Sequence, residues 1–262
     1  MSIISAVTID FWNTLVDSSN GPLRRRARNE AMQRVFEALH RAWDEDAVND
    51  AFRIAYERFE HRWYGEQRTM RADESVRILW DHLNLDVPAD LHNEVVRRME
   101  WSILDGMPQL LPHAGDVLRT LAAHKKIALI SDTAMSPGSV LREVLVQHGV
   151  AQHFHAMVFS DETGVSKPHA RAFTTALSQL GAEARSAVHI GDIERTDIAG
   201  AKASGMRAIL FRGDVTGRYH GEQDTDRTAA DAIAHSWLEI ENIIAGWDAA
   251  NGAPTAQTKG QG

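Results

Sequence analysis

The stretch that most limits what this chain can become is its first. Ile3-Ile4-Ser5-Ala6-Val7-Thr8-Ile9 runs apolar and β-branched and meets a carboxylate only at Asp10. Such a run predicts a strand buried in a parallel sheet, and its polar end puts Asp10 at the carboxyl edge, where open α/β sheets bind ligands. The stretch alone also fits a strand closed by a side-chain-capped turn at Asn13-Thr14.

Beyond this strand the chain reads as helical. Asp17 to Pro22 is dense in turn residues, with Pro22 suited to a first helical position, and Ala27, Ala31, Val35, Ala38, Leu39 and Ala42 form one stripe of a helix from about Leu23 to Trp43. Phe52, Tyr56, Phe59 and Trp63 mark a second helix; Val76, Leu79, Trp80 and Leu83 a third; Leu91, Val95, Met99 and Ile103, after Pro88, a fourth. A block of about eighty residues without a strand is too long for a crossover, so it reads as an inserted helical domain.

From Met107 the pattern alternates. Helices are expected from Ala114 to about His124, Pro137 to His148, His169 to Leu180 and Arg195 to Ser204, with a last one near Ser236 to Trp247. Strands are expected at Lys126 to Ile130, Ala156 to Phe159, Ala187 to Ile190 and Arg207 to Phe211. This is the grammar of a parallel sheet with right-handed crossovers. The expected domains are therefore 1–17 with 107–247 as core, 18–106 as the inserted all-α domain, and 248–262, rich in Gly, Pro, Thr and Gln, as a flexible tail.

Composition narrows the chemistry. A net charge of −8 speaks against nucleic acid as a partner, and no apolar run approaches the ~20 residues of a membrane span. With no cysteine, a thiol nucleophile and a thiolate zinc site are excluded, and with no export signal at the start a cytoplasmic location is expected. One segment runs against the acidic balance: Arg24, Arg25, Arg26, Arg28, Arg34 and Arg41 crowd the first long helix.

Four polar stations fall at predicted strand ends or loops. They are Asp10-Phe11-Trp12-Asn13-Thr14-Leu15, Ile130-Ser131-Asp132-Thr133, Val165-Ser166-Lys167-Pro168, and Ile190-Gly191-Asp192-Ile193-Glu194-Arg195-Thr196-Asp197. Each alone has a structural reading: Ser131 and Thr133 capping a turn, Lys167 solvated on a loop, Asp197 favouring a helix N-terminus. In this order the chain resembles the haloacid dehalogenase-like (HAD) hydrolase superfamily, in the branch whose helical C1-type cap is inserted after the first motif.

The resemblance implies an α/β fold, a Rossmann-like parallel sheet core with an inserted all-α helical cap domain. It implies Asp10 as nucleophile, Ser131 donating to a phosphoryl oxygen and Lys167 placing a point charge beside Asp10, with Thr14 and Asp132 among the substrate-binding residues. It also implies Mg²⁺ as cofactor, held by Asp10, the main-chain carbonyl of Trp12 and Asp192, with Asp197 holding a metal-bound water or bracing the loop. Elementary electrostatics agrees, because an aspartate attacking a phosphate ester brings anion against anion. Two neighbouring carboxylates also resist joint ionisation unless a cation joins them, and hard oxygen donors suit Mg²⁺.

The pattern breaks at Trp12. Phosphatases of the superfamily carry there an aspartate that protonates the leaving group and then activates water, whereas an indole N–H cannot exchange protons. Three outcomes are open. A phosphatase acting on small phosphorylated metabolites would use a good leaving group or borrow a proton carrier among His61, His82, His92, His113, Asp132 and Glu162. A 2-haloacid dehalogenase, which resembles this chain in having an aromatic residue at that position, needs no such proton but also no metal. A catalytically weak binder of phosphorylated metabolites is the third. The retained Asp192 favours the first.

In the resembling family the cap reads the non-reacting part of the substrate. Arg24 and Arg28 share a helical face and are candidates for meeting a second anionic group, against a solvated face for most of the cluster. Trp43, Trp63, Trp80 and Trp101 recur through the cap, where core packing is the simpler account. Pairing of caps into a homodimer is compatible with the sequence, which does not decide it.

Overall fold

A computed structural model describes residues 3–214 and 227–252. Strand β1 (Ala6–Ile9) is followed by helices α1 (Gly21–Ala38), α2 (Glu45–His61), α3 (Ala72–Leu83) and α4 (Ala89–Asp105). Then come α5 (Ala114–Ala122), β2 (Lys126–Ser131), α6 (Gly138–Gln147), β3 (Ala156–Phe159), α7 (Ser160–Thr163) and α8 (Ala170–Leu180). The chain continues with β4 (Ala187–Gly191), α9 (Ala199–Ala203), β5 (Arg207–Phe211), β6 (Ala232–Ala234) and α10 (Trp237–Gly252).

Six parallel strands form one sheet in the order β3-β2-β1-β4-β5-β6. The two-residue period of the strands divides their side chains between two cores. Val7, Ile9, Ile127, Leu129, Val188 and Ile190 face the helices carrying Leu118, Val144 and Trp237, while Ala6, Ala128, Ile130 and Ala208 face Phe173, Leu177 and Ala201. Both faces are covered, which is why the strands read as continuous apolar runs. After β3 the chain crosses to the other side of β1, so the strand order reverses beside β1 and β4. Ligands of open sheets bind at such a reversal.

Helices α1 to α4 have a core of their own, with Met32, Val35, Val48, Ala51, Val76, Leu79 and Met99 buried in it. The first helix is shorter than its stripe suggests. It ends at Ala38, where His40 takes φ 52° and the N–H groups of His40 and Arg41 donate to the carbonyls of Glu37 and Phe36, at 3.1 and 2.8 Å. This Schellman turn uses histidine where glycine or asparagine is usual, so the sequence carried no stop signal. Trp43 packs edge-on against Phe36 and Trp80 is buried, but Trp101 is 47% exposed and Trp63 turns toward the sheet.

Two further differences lie at the C-terminal side. Strand β6 is only three residues long and carries no readable pattern. Helix α10 passes the expected end at Trp247 because Asp248 accepts from the Ile4 N–H at 2.8 Å and pairs with Lys125 at 2.5 Å. The helix runs to Gly252, into the span expected as tail, and 253–262 lies outside the described residues. Among the described residues no helix is long and apolar enough to cross a membrane.

Helix α10 also reaches the site. The fully buried Trp237 donates its indole N–H to the Thr14 carbonyl at 2.9 Å, tying the loop after Asp10 to a helix more than two hundred residues away. Trp237→Phe removes that donor and some volume, and is expected to lower unfolding free energy by about 1–3 kcal/mol in a urea melt.

Candidate active site

Asp10 directly succeeds β1, and its N–H donates to the Ile190 carbonyl at 2.9 Å. Because Ile9 pairs with Ile190, the ends of β1 and β4 bring Asp10 beside Gly191-Asp192. Asp10, Asp192 and Asp197 each present an oxygen, all within 4.8 Å of one another, and all three residues are buried. Lys167, itself buried, donates from Nζ to Asp10 Oδ1 and, at 2.6 Å, to Asp197 Oδ1.

Asp197 has the most complete set of partners. Besides Lys167 it accepts from His189 Nε2 at 3.0 Å, from the Ile193 N–H at 3.1 Å and from Thr196 Oγ1 at 3.2 Å. On the other side of the His189 ring, Nδ1 accepts from Thr8 Oγ1 at 2.8 Å, a tautomer assigned from these partners. The carboxylate comes this close because residue 191 is glycine: a Cβ there would lie 2.3 Å from Asp197 Cγ.

Charge is unevenly satisfied across this cluster. Burial opposes the Lys167 charge, but Asp10, Asp197 and Asp132 outweigh it and hold the lysine firmly protonated. Burial likewise opposes ionisation of Asp197, yet Lys167 and His189 overcome it and keep the carboxyl well below its usual range. Asp10 goes the other way: burial raises it to about 7 despite Lys167. Asp192 is raised well above the ordinary value by burial and by its neighbours Asp10 and Asp197. One lysine is thus too little positive charge for three buried carboxylates. The surplus, on hard oxygen donors, suits a small divalent cation.

The family model of haloacid dehalogenase-like hydrolases matches residues 4–205, all four stations included. The chain belongs to this family. It is 28% identical over 210 residues to a phosphoglycolate phosphatase of Yersinia pseudotuberculosis, covering 79% of this chain and 80% of the relative. Its fold is that of a 2-haloacid dehalogenase from Pseudomonas syringae, with TM-score 0.66 at 23% identity over 94% of this chain and all of the other. It is also that of the HAD-hydrolase YfnB from Bacillus subtilis bound to magnesium, with TM-score 0.63 at 17% identity over 93% and 99%. The protein is accordingly a hydrolase of the HAD type.

Around the HAD cluster the structure places the remaining expected residues unevenly. Ser131 is buried at the end of β2, with its hydroxyl 3.4 Å from the Asp132 carbonyl, and Thr14 Oγ1 is buried without a partner among the described residues. Trp12 has its ring edge-on to Phe11 at 5.2 Å and forms part of a cavity wall. Asp132, expected among the substrate-binding residues, has protein partners on both oxygens. Its Oδ1 accepts from the Lys167 main-chain N–H at 3.0 Å and its Oδ2 from Trp63 Nε1 at 2.8 Å, so this carboxylate braces the lysine loop; burial raises it to about 6.

Arg24, like Arg28, lines the cavity, and it has main-chain partners. Its guanidinium is spent on main-chain carbonyls of the two linkers joining the helices to the sheet: Ser18 at 3.1 Å, Ser19 at 2.6 Å and Gly106 at 2.6 Å. It clasps the hinge, with its guanidinium carbon 5.6 Å from the Trp12 ring centre. Arg28 remains in the cavity wall. Of the expected proton carriers, His61 and His113 are exposed, His92 is held between Trp80 and Asp73, His82 pairs with Asp50, and Glu162 pairs with Arg142.

Sequence reasoning missed the residues that fasten the helical layer over the site. A π-turn at Arg62–Glu66 carries Trp63 to Asp132; the Gln67 carbonyl accepts from the Ser166 N–H at 2.7 Å; Thr69 meets the Thr133 carbonyl and, at 2.8 Å, Ser160 Oγ. The one available signal was a tryptophan next to a helix end, which packing explained equally well. Gly191→Ala tests the geometry of the cluster. Its Cβ must push Asp197 off Lys167, so a loss of about 1–3 kcal/mol in stability is expected, with hydrolase turnover falling at least tenfold.

Proposed function

We propose that this HAD hydrolase is a Mg²⁺-dependent phosphatase acting on small phosphorylated metabolites, with Asp10 as nucleophile. The observation that carries the reading is the surplus of buried carboxylate at Asp10, Asp192 and Asp197 over the ammonium of Lys167. Asp10, Asp192 and the Trp12 carbonyl would hold the ion, and Asp197, whose oxygens already have four donors, would brace the loop or hold a metal-bound water. When bound, the ion neutralises charge on the carboxylates and the phosphate so that the two can approach. Residues 18–106 serve as the cap.

Asp10 attacks phosphorus, the ester oxygen departs with the bonding pair, and an aspartyl-phosphate remains for water to cleave. Lys167 holds Asp10 in line and keeps positive charge beside the forming bond. Ser131 and the Thr14 hydroxyl, unpartnered among the described residues, are the donors for phosphoryl oxygens. Trp12 lends the leaving oxygen no proton, so the first step depends on the acidity of the departing alcohol. Trp12 also supports a second reading, 2-haloacid dehalogenation, since a halide leaves without a proton. The raised Asp192 argues for the cation-requiring chemistry instead.

Two experiments test this. A panel of phosphomonoesters and 2-haloacids, with Mg²⁺ or chelator, is expected to release phosphate only with Mg²⁺, fastest for aryl esters, with slow turnover of alkyl esters by roughly 10²- to 10⁴-fold for want of general acid catalysis. Asp10→Asn should abolish it. Halide release in chelator would favour the dehalogenase, and ligand binding without any product the weak binder. Independently, Mg²⁺ at a hundred times its dissociation constant should stabilise the protein by about 2.7 kcal/mol in thermal melts, and Asp192→Asn should remove that gain.

A further inference from the structure

A cavity of about 590 Å³ opens between the sheet and helices α1, α2 and α4. Its wall has two characters. Trp12, Phe52, Tyr56 and Phe59 make one side aromatic, and Arg24, Arg25, Arg28 and Arg53 bring guanidinium groups, yet among the described residues no Asp or Glu lines it. In a chain of net charge −8 that is a local inversion of sign.

Most of these arginines are already committed. Arg24 is spent on the hinge carbonyls, Arg53 is paired with Asp50 and Glu57, and Arg25 is exposed. Arg28 is different. Among the described residues its single hydrogen bond runs from Nε to Ser102 Oγ at 2.8 Å, and Ser102 Oγ in turn donates to the Met99 carbonyl at 2.7 Å, so the guanidinium is anchored at Nε while neither Nη has a protein partner. The charges that act on it are Arg24 and Arg25, of its own sign; burial first, then these two, lower it to about 10, where it is still protonated at neutral pH. A half-buried cation anchored through Nε, with no counter-ion among the described residues and no carboxylate among the described residues of the wall, is placed to receive an oxyanion.

The cavity wall includes Trp12, two residues past Asp10, and Ala134 and Ser136, just past Ser131. We infer that it is a second-anion subsite. The preferred substrates are phosphate esters whose leaving group has an aromatic-sized apolar body ending in a second oxyanion, carboxylate or phosphate, bound by Arg28. This deepens the phosphatase reading and rests on it for the first anion.

Three esters of nearly equal leaving-group acidity separate the cases: 4-(carboxymethyl)phenyl phosphate, 4-(phosphonomethyl)phenyl phosphate and the uncharged 4-(carbamoylmethyl)phenyl phosphate. Calorimetry on Asp10→Asn protein with Mg²⁺ is expected to find at least one oxyanion ester bound roughly ten- to a hundredfold more tightly than the carbamoyl ester. The larger gap of the two reports whether carboxylate or phosphate is preferred. Adding Arg28→Gln should bring the ratio near one, Arg28→Lys should keep part of it, and Ser102→Ala, which frees Nε, should narrow it. Equal affinities for all three esters, a gap indifferent to Arg28→Gln, or no binding of either oxyanion ester would overturn the subsite. Selective binding without turnover by the wild-type protein would instead sink the phosphatase reading and leave the subsite standing. Turnover without selectivity would do the reverse.

Discussion

Lys167 is a cation held inside a pocket of acids, and the catalytic edge is arranged around it. Its ammonium joins Asp10, at the end of the first strand, to Asp197, in the loop after the fourth. Its main-chain N–H is held by Asp132, at the end of the second. A buried charge of this kind is tolerable only if its geometry is maintained by well-packed surroundings. Here the surroundings are specific: glycine at 191 makes room for Asp197, His189 and Thr8 support that carboxylate from the sheet, and Trp237 pins the loop beyond Asp10.

The same lysine is too little for the charge it faces. Its ammonium is divided between Asp10 and Asp197, and at Asp192 burial and the like charges of Asp10 and Asp197 outweigh it. That deficit links the fold to a reaction, since a hydrolase acting on phosphate needs positive charge at the moment two anions meet. The charge balance at Lys167 does not include position 12, where this chain has a tryptophan.

The helical layer and the sheet are coupled through this centre. Trp63 donates to the carboxylate that orients Lys167, so the contact between the helical layer and the sheet bears on the lysine loop directly. Arg24, at the opposite end of the layer, holds the two linkers together and leaves Arg28 as the cation of the cavity. Neighbouring arginines on one helix thus do unlike things, one mechanical and one available for recognition.

The parallel core and the inserted helices were legible in the chain because both rest on local periodicity: alternation of apolar runs with helical stripes, and a helical block too long to be a crossover. Asp10, Lys167, Asp192 and Asp197 were legible too, since polar residues at the ends of buried strands have few structural reasons to be there. What only the tertiary structure decided was the choice of partners. It set Asp132 against the lysine loop, Arg24 against the hinge carbonyls and Trp63 against Asp132, and it stopped helix α1 at a histidine. Each outcome depends on atoms brought together from distant parts of the chain, and a side chain with several donors or acceptors takes the partner that the packed fold sets within about 3 Å.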